Sequence, residues 1–426
     1  MKITQFVPAL LTILVLSHFE NASASGEQKA ALKNSSVESR LEAISRAEVM
    51  DESIDRLYRE TPEQVSQIDM TEELKQICGA AFNYNNNPKK DYVSWPTVSC
   101  KYKQDDLSLS GATKKFNCDF NELTKKGKEN VKKRKVKYSS YFRLGSSELV
   151  PTILASTISR MLGFYTESYC PAKVKCENCP SSDPWADSNR SSGAPSNETH
   201  EFDYAIVERP AELMTITPKS DQPKNSYPHG VFWKELLSIK ETEGKTVKDK
   251  AIEREAWLLW LNFLVDTDAY NFNQRISCAK ASGDDADVFC EKPVVYTHDY
   301  GHAFNYRFKF EKWKTRPPIL QNKDGTCRGG MTAEVMKDER GSKDTPQLHI
   351  SPLISSEARD LLVSRMRIMT DKQWRDIFRI SNAEKLFRVS TDDWLSTIRE
   401  KIEAMGRAQC APFDSRTSVM SSGMGK

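Results

Sequence analysis

The sequence predicts an α+β fold in which a small β-rich part is followed by a larger helical part, with a helical extension before both. Short runs of alternating apolar and polar residues cluster between positions 93 and 210. Segments with apolar residues at helical spacing dominate the last third of the chain. The 426 residues leave room for one large domain or two ordinary ones, and no internal repeat is visible.

Composition indicates a polar, folded chain. Apolar residues make up 38% of the sequence, and 8 tryptophans supply material for a core. The net charge is only +3. Without a basic, aromatic-interleaved surface or a recognisable binding motif, the sequence gives no reason to expect nucleic acid as a partner.

The first 24 residues resemble a secretory signal peptide. Lys2 forms the positive start, an apolar run extends from about Phe6 to Leu16, and Ala22-Ser23-Ala24 offers a cleavage site. We expect export, to the periplasm or the extracellular space, after cleavage near Ala24. The alternative is a membrane anchor, but the run is short and no second run follows, so no stable membrane span is expected.

Export agrees with the cysteine content, because disulfides form outside the cytosol. Cys100 with Cys118 and Cys278 with Cys290 are plausible local pairs. Cys176 and Cys179 form a C-x-x-C motif that has no matching second pair near by in the sequence, which argues against zinc. A structural disulfide that uses two of three cysteines is the preferred interpretation of this region: Cys170, Cys176 and Cys179.

The elements follow in order. Residues 25–92 are predicted to be a helical extension, mostly exposed, which a polar break at 83–90 ends. Residues 93–210 form the β-rich part, with one helix predicted over Ser146–Phe164, where serines suit the N-cap and Pro151 falls in the first turn. A Ser/Pro/Asn-rich loop is predicted at 180–200, before a buried strand that ends at Pro210.

The helical part is predicted over residues 211–410. A long amphipathic helix begins near Lys248, and three further helical segments lie between Ser355 and Gly406. Residues 411–426 are predicted to be a flexible tail.

Two polar clusters interrupt the larger part. Asp268 and Asn273 lie five residues apart, directly after the apolar end of the long helix. Asp299 follows an apolar strand, Pro293–Tyr296, and Gly301 then allows the backbone to turn. Asp266 and Asn271 repeat the five-residue spacing and form an alternative pair.

A third group lies earlier in the chain. Lys133, Lys135 and Lys137 share one face of a predicted strand, and Glu148 follows at the start of the helix. Phosphoryl-transfer enzymes of the kinase type contain the same parts in the same order: a Lys, a Glu, Asp-x-x-x-x-Asn and Asp-x-Gly. There the Lys neutralises phosphate, the Glu holds the Lys, the first Asp accepts a proton, and Asn and the second Asp hold Mg²⁺.

These stretches resemble the atypical kinases of the lipid-kinase, HipA-toxin and secreted Golgi-kinase type, and more closely a set of exported bacterial proteins with that fold. The resemblance covers roughly residues 95–410. Its matches are Lys135-Val136-Lys137-Tyr138, Glu148, Leu162-Gly163-Phe164, Cys176, Cys179, Asp268, Asn273-Gln274-Arg275, Cys278, Asp299, Gly301, Phe304, Trp394 and Lys401.

The resemblance implies a two-lobed kinase-like fold and a phosphotransferase that uses ATP or a related nucleotide with Mg²⁺ or Mn²⁺. The acceptor substrate is not implied. The site residues that it implies are Asp268, Lys137 and Glu148 for catalysis, Lys137, Lys135 and Glu208 for the nucleotide, and Asn273 and Asp299 for the metal. Lys135 lies on the same face of the predicted strand as Lys137 and is the alternative candidate for the phosphate-binding lysine.

Departures from the pattern keep other functions open. Ala269 and Tyr270 stand where basic or histidine residues are usual, and no G-x-G-x-x-G precedes the lysine strand. A catalytically degenerate kinase fold that acts as an envelope binding or scaffold module is therefore one alternative. A weaker one is a metal hydrolase, with zinc held by His298, His302 and Asp299 and by His229 or His349.

Overall fold

The computed structural model describes residues 62–79, 81–84, 92–103, 113–123, 129–139, 148–179, 198–209, 214–215, 247–266, 274–278, 281–282, 289–290, 293–297, 300–301, 303–304, 310–332 and 352–414. The predicted signal peptide lies outside these ranges, as do most of the helical extension and the tail beyond residue 414. No helix within the described ranges combines the length and the hydropathy needed to cross a bilayer.

The described strands are β1 Thr97–Lys103, β2 Lys114–Leu123, β3 Glu129–Tyr138, β4 Tyr165–Thr166, β5 Ser168–Cys179, β6 Glu198–Arg209, β7 Met214–Thr215, β8 Gln274–Cys278, β9 Ala281–Ser282, β10 Phe289–Cys290, β11 Pro293–Thr297, β12 Ile319–Gln321, β13 Cys327–Gly329 and β14 Leu353–Ile354. The described helices are α1 Pro62–Ser66, α2 Met70–Cys78, α3 Leu149–Met161, α4 Val247–Leu264, α5 Phe310–Thr315, α6 Ser356–Ile368, α7 Asp371–Ile380, α8 Ala383–Phe387 and α9 Thr391–Arg407. This mixture confirms the predicted α+β class.

Five strands close into a small barrel in the order β1-β2-β3-β6-β5. All pairs are antiparallel except the β1–β5 pair, which is parallel and closes the barrel. Buried and exposed residues alternate strictly along β1, as expected for a strand with one face toward the barrel interior. Val98, Cys100 and Tyr102 face the interior, and the residues between them are exposed. Strand β6 begins at Glu198, three residues inside the loop predicted for 180–200.

Helix α3 lies against the barrel and agrees with the predicted helix, but every one of its 13 residues is buried. The sequence pattern predicts one apolar face only. The helix is covered on several sides: it contacts β4, β5 and α7, Arg160 forms an ion pair with Glu73 of α2, and Trp260 of α4 donates to Ser159. Two of its buried hydroxyls have partners: Ser156 Oγ donates to the Ile153 carbonyl oxygen at 3.2 Å, and Ser159 Oγ donates to the Tyr300 hydroxyl oxygen at 2.8 Å.

Within the described end of the helical extension, α1 is mostly exposed, as predicted, whereas α2 buries one face against the rest of the protein. Met70, Leu74 and Cys78 face the core. Cys78 is disulfide-bonded to Cys170 in β5, which connects the extension covalently to the barrel. Gln373 Nε2 donates to the Val65 carbonyl oxygen at 2.7 Å and adds a contact with α7.

A second, four-stranded sheet has the order β4-β11-β8-β7. Strand β11 pairs in parallel with β4 and antiparallel with β8. Because β4 precedes β5 of the barrel directly, this sheet connects the barrel with the polar loops of the larger part. A two-stranded ladder, β9-β10, and a three-stranded sheet, β12-β13-β14, complete the strands.

The larger part is built around α4, which packs against α6, while α7 and α9 contact α6 or one another. The seven apolar residues of α4 between positions 257 and 264 are all buried, which confirms that the apolar run in the sequence forms part of the core. The predicted tail begins in ordered structure, because the Phe413 backbone N–H donates to Glu357 Oε2 at 2.8 Å. Cys327 and Cys410 form a disulfide that holds the end of the chain to β13.

Lys401 on α9 is a buried cation in this part. Its Nζ lies 4.7 Å from the centroid of the Trp313 ring and donates to the carbonyl oxygen of Arg316. Burial lowers the pKa of Lys401 from 10.5 to about 8. Between these two values the unfolded chain binds more protons than the folded protein, so this group makes the free energy of unfolding rise with pH across that window.

Replacing Lys401 with methionine is expected to remove this rise. Wild type should gain about 3 kcal/mol relative to the variant as the pH increases from about 8 to about 10.5, at about 1.4 kcal/mol per pKa unit. Urea denaturation of both proteins at several pH values in that window measures the difference. Lys323→Met, at an exposed position, is the control and should keep the wild-type slope. An equal slope in Lys401→Met would contradict the prediction.

Candidate functional site

The lysines of β3 lie on the outer face of the barrel, as their spacing predicts. Burial increases along the strand: Lys133 is exposed, Lys135 is partly buried, and Lys137 is only 2% exposed. The three lysine side chains of this strand thus range from solvent-exposed to fully enclosed by protein. A buried ammonium group requires nearby groups that stabilise its charge.

Lys135 has a carboxylate partner on the neighbouring strand. Its Nζ lies 2.5 Å from Glu208 Oε1, and Glu208 is 4% exposed. Register explains the contact, because Lys135 pairs with Glu208 across β3 and β6, and Glu208 pairs with Tyr169 across β6 and β5. The structure thus brings together Lys135 and Glu208, two of the residues assigned to the nucleotide.

Lys137 lies over an aromatic ring. Its Nζ is 5.3 Å from the centroid of the Tyr169 ring, within the range of a cation–π interaction. Tyr169 belongs to a small apolar cluster that includes Leu149 and Ile153 of α3 and Ile206 of β6. The predicted lysine is therefore held between the barrel and α3.

Tyr169 in turn connects this lysine group to the second sheet. Its hydroxyl donates to Glu167 Oε2 at 3.1 Å, and Glu167 is 3% exposed. The Glu167 backbone N–H donates to the carbonyl oxygen of Thr297 at 3.3 Å. Since Thr297 ends β11, a continuous set of contacts leads from Lys137 to the strand that precedes Asp299.

Glu148 lies at the start of α3, as predicted, but it occupies the N-cap position for which a serine was expected, and its side chain makes no capping bond. The Thr113 hydroxyl donates to Glu148 Oε2. The predicted ion pair between Glu148 and Lys137 stays a prediction.

The remaining predicted residues, Asp268, Asn273 and Asp299, lie outside the described residues. The strand ends that lead to two of them are described. Gln274, the residue after Asn273, is the register partner of Thr297, which lies two residues before Asp299. These two chain ends are therefore neighbours at one end of the second sheet.

A buried hydrogen-bond network lies beside this end of the sheet. Trp260 Nε1 donates to Ser159 Oγ at 2.7 Å, and Ser159 Oγ donates to the Tyr300 hydroxyl oxygen at 2.8 Å. Trp257 Nε1 donates to Thr297 Oγ1 at 2.9 Å. Burial raises the pKa of Tyr300 to about 12, so the phenol is neutral. The network connects α3, α4 and the residue that follows Asp299.

The alternative aspartate, Asp266, is enclosed at the end of α4. It is 1% exposed, its backbone N–H donates to the Leu261 carbonyl oxygen, and its charge helps to raise the pKa of Tyr300. Its low exposure does not decide between the two registers, because Asp268, Asn271 and Asn273 lie outside the described residues. The preference for Asp268/Asn273 over Asp266/Asn271 stays a prediction.

The predicted histidine zinc site is not tested, because His229, His298, His302 and His349 all lie outside the described residues. Within the described part of the chain, three cysteine sulfurs lie within 4.8 Å of one another, those of Cys100, Cys118 and Cys176. All three are in disulfides, Cys100–Cys118 and Cys176–Cys179. A disulfide sulfur is not a thiolate ligand, so this cluster is not a metal site in this state.

The disulfides of the barrel include pairs that the sequence predicts and one long-range pair that it does not. The local pair Cys100–Cys118 is confirmed. Cys176 pairs with Cys179, while Cys170 bonds to the distant Cys78. The preferred interpretation, a structural disulfide between two of Cys170, Cys176 and Cys179, is confirmed. A second cysteine pair, which is not near the C-x-x-C motif in the sequence, lies beside it in the fold because β1 and β2 supply Cys100 and Cys118. The predicted Cys278–Cys290 pair lies outside the described side chains.

Sequence reasoning missed Tyr169, Glu167, Ser159 and the two tryptophans of the network. Tyr169 and Glu167 are isolated residues in an ordinary strand sequence, and only the register of β5 with β6 brings them to the lysines. The apolar run that contains Trp257 and Trp260 was a visible signal, but one for core packing.

Comparisons with known proteins give distant structural similarity only. No family model and no curated protein matches the chain. The chain is similar to the crystal structure of the Helicobacter pylori proinflammatory kinase CtkA, with 10% identity and a TM-score of 0.32, over 77% of this chain and 98% of that chain. It is also similar to the Rio2 kinase of Chaetomium thermophilum in its ADP/Mg²⁺–phosphoaspartate complex, with 10% identity and a TM-score of 0.24, over 88% of this chain and 99% of that chain. Both structures are of kinases, and similarity at this level does not establish a family.

Proposed function

We propose that the chain has a two-lobed, atypical kinase-like fold and acts as a phosphotransferase on an acceptor whose class is open. The barrel with α3 is the small lobe, and the part built around α4 is the large lobe. The observation that carries the proposal is the set of contacts from Lys137 through Tyr169 and Glu167 to Thr297. It leads from a buried lysine to the strand that precedes Asp299.

In this proposal the β3 lysines hold the nucleotide phosphates. Lys137 carries the charge that neutralises phosphate, and the Lys135–Glu208 pair orients the neighbouring cation. Glu148 or Glu167 would hold Lys137 in place, and of these Glu167 has the described connection to it through Tyr169. Asp268 would accept the proton of the acceptor hydroxyl.

The divalent cation would be held by Asn273 and Asp299. An amide and a carboxylate oxygen are suitable ligands for Mg²⁺ or Mn²⁺, and the chain ends that lead to these residues are register neighbours. When bound, the cation neutralises charge on the phosphate oxygens. The network of Tyr300, Ser159 and Trp260 would keep the backbone beside Asp299 in one position.

Nucleotide binding is expected to stabilise the purified protein against heat. A ligand at about 100 times its Kd adds about 2.7 kcal/mol to the free energy of unfolding. Thermal denaturation with ATP, ADP or AMP, each with Mg²⁺ or Mn²⁺, measures the effect. Asp299→Ala and Lys137→Met are expected to lose it, because they remove a metal ligand and the phosphate-neutralising charge.

Lys133→Met is the matched control, since Lys133 is on the same face of the same strand but exposed to solvent. It should keep the full nucleotide shift. The absence of any shift with every nucleotide and metal combination would overturn the phosphotransferase proposal. A shift that survives in Lys137→Met would overturn the role of that lysine.

The second candidate is a degenerate kinase fold that serves as a binding or scaffold module. Ala269 and Tyr270 favour it, since the residue types expected beside Asp268 carry charge that helps to position phosphate. Transfer of radiolabelled phosphate separates the two functions. Autophosphorylation by wild type that Asp268→Ala abolishes would exclude the scaffold, whereas nucleotide binding without transfer would support it.

We also propose that the chain is exported. The eight cysteines whose side chains are described form four disulfides, as suits an oxidising compartment. N-terminal sequencing of the protein recovered from a bacterial host outside the cytoplasm tests this. The sequence is expected to begin at Ser25, and recovery of uncleaved protein in the cytoplasm alone would contradict export.

A further inference from the structure

Two disulfides lie side by side within the barrel. The Sγ atoms of Cys100, Cys118 and Cys176 are within 4.8 Å of one another, although Cys100 is bonded to Cys118 and Cys176 to Cys179. All four cysteines are at most 4% exposed. Each bridge therefore has a sulfur of the other bridge within a short movement of bonding distance.

Strand register produces this arrangement. Cys100 and Cys176 are direct partners in the parallel β1–β5 pair that closes the barrel. Cys118 lies on β2, on the other side of β1, and pairs with Tyr102. Cys100 is thus flanked by a cysteine on each neighbouring strand, and the alternation of the strands turns all three inward.

The β-ladder is irregular where the C-x-x-C bridge lies. The pairing of β5 with β6 shifts register between Glu177 and Cys179, and Asn178 has a positive φ of 57°. Cys179 is also the last residue of β5. A strand end with an interrupted ladder opens at a lower free energy than the middle of the barrel, so Cys179 is where a reductant gains access.

We propose that Cys100, Cys118, Cys176 and Cys179 form a thiol–disulfide exchange site that accepts two electrons from a dithiol. A thiolate of the dithiol attacks Cys179 Sγ, and the Cys176–Cys179 bond breaks with Cys176 leaving as a thiolate. Cys176 Sγ then attacks Cys100 Sγ, and the Cys100–Cys118 bond breaks with Cys118 leaving. The second thiol of the dithiol displaces Cys179 from the mixed disulfide.

The products balance. The dithiol becomes a disulfide, and its two protons end on Cys118 and Cys179, while the protein keeps one bridge, Cys100–Cys176. The covalent link thereby moves from the β1–β2 pair to the β1–β5 pair that closes the barrel. Direct register between Cys100 and Cys176 makes Cys100 the sulfur that is attacked and Cys118 the one that leaves. The site does not depend on the phosphotransferase proposal.

A Cys179→Ser variant of the full chain tests the central step without a reductant, because it leaves Cys176 as a thiol from the start. After an acid quench, denaturation and alkylation with a maleimide, peptide mapping identifies the free thiol. Most of the label is expected on Cys118, with Cys176 linked to Cys100. Label on Cys176 with an intact Cys100–Cys118 bridge, or label on Cys100, would overturn the proposal.

Cys410→Ser is the matched control. It frees Cys327, which lies outside the group of three neighbouring sulfurs, so the label should stay on Cys327 and the other bridges should remain unchanged. This result establishes that a free thiol alone does not reshuffle the disulfides.

If Cys179→Ser fails to fold, partial reduction of the wild-type protein tests the same exchange between the two bridges. Native protein is treated with increasing dithiothreitol, quenched and mapped in the same way. Whichever bridge elsewhere in the protein is reduced first, the species in which the barrel has gained two electrons should carry label on Cys118 and Cys179 and contain the Cys100–Cys176 bridge. Label on Cys176 and Cys179 with Cys100–Cys118 intact, or simultaneous loss of all bridges, would overturn the exchange site.

Discussion

Replacing Trp394 with alanine is expected to lower the free energy of unfolding by about 4 kcal/mol, the middle of the range for truncating a buried tryptophan. Trp394 is fully buried in α9. Its ring centroid lies 4.5 Å from that of Phe310, 5.0 Å from that of Trp313, 5.3 Å from that of Phe378 and 5.6 Å from that of Phe304. The truncation leaves a cavity that rigid rings on several elements cannot fill.

Urea denaturation of wild type and variant measures this loss. Trp394→Phe keeps an aromatic ring and should lose much less. Glu403→Ala is the surface control on the same helix, because Glu403 forms an exposed ion pair with Arg367 and should change stability by less than about 1 kcal/mol. A Trp394→Ala midpoint equal to that of wild type would contradict the assignment of Trp394 to the centre of this aromatic core.

The same packing extends to the candidate site. Phe304 lies five residues after Asp299 and has a positive φ of 59°, which a phenylalanine adopts only when its surroundings impose it. Those surroundings include the Trp394 and Trp313 rings and the bond from the Phe304 N–H to the Leu264 carbonyl oxygen. Trp394 and Phe304, two residues of the sequence pattern, therefore pack against each other.

Local features of the fold were predictable from the sequence. The alternation of Val98, Cys100 and Tyr102 predicts the inward face of β1. The apolar stretch that follows Lys248 predicts α4, and the spacing of Lys133, Lys135 and Lys137 predicts their common face. Each of these signals is contained within one element, where periodicity determines which residues share a surface.

The features that the sequence did not predict depend on contacts between distant segments. Every residue of α3 is buried because other elements pack against several sides of the helix. The apolar pattern of the helix itself predicts only one buried face. Pairing of Lys135 with Glu208, and the approach of Tyr169 to Lys137, follow from the β3–β6–β5 register. The second cysteine pair beside Cys176 arises in the same way, because barrel closure places β1 next to β5.

The disulfide between Cys78 and Cys170 is the clearest long-range case, and its removal has the largest expected effect. The two residues are 92 positions apart. A Cys78→Ala/Cys170→Ala double variant is expected to lose between about 4 and 5 kcal/mol, because the bridge restricts a long loop in the unfolded chain. The double variant leaves no unpaired thiol, so the measured loss is that of the missing bridge.

A short bridge in the same strand provides the comparison. Cys176 and Cys179 are three positions apart, and their double alanine variant should lose only about 2 kcal/mol by the same chain-entropy argument. Urea denaturation of both variants under non-reducing conditions gives the two losses. Equal losses would show that the unfolded-state restriction is not what stabilises the protein. A loss that is larger by about 2 to 3 kcal/mol for the Cys78–Cys170 variant would show that the covalent link between α2 and β5 stabilises the protein by restricting a long loop of the unfolded chain.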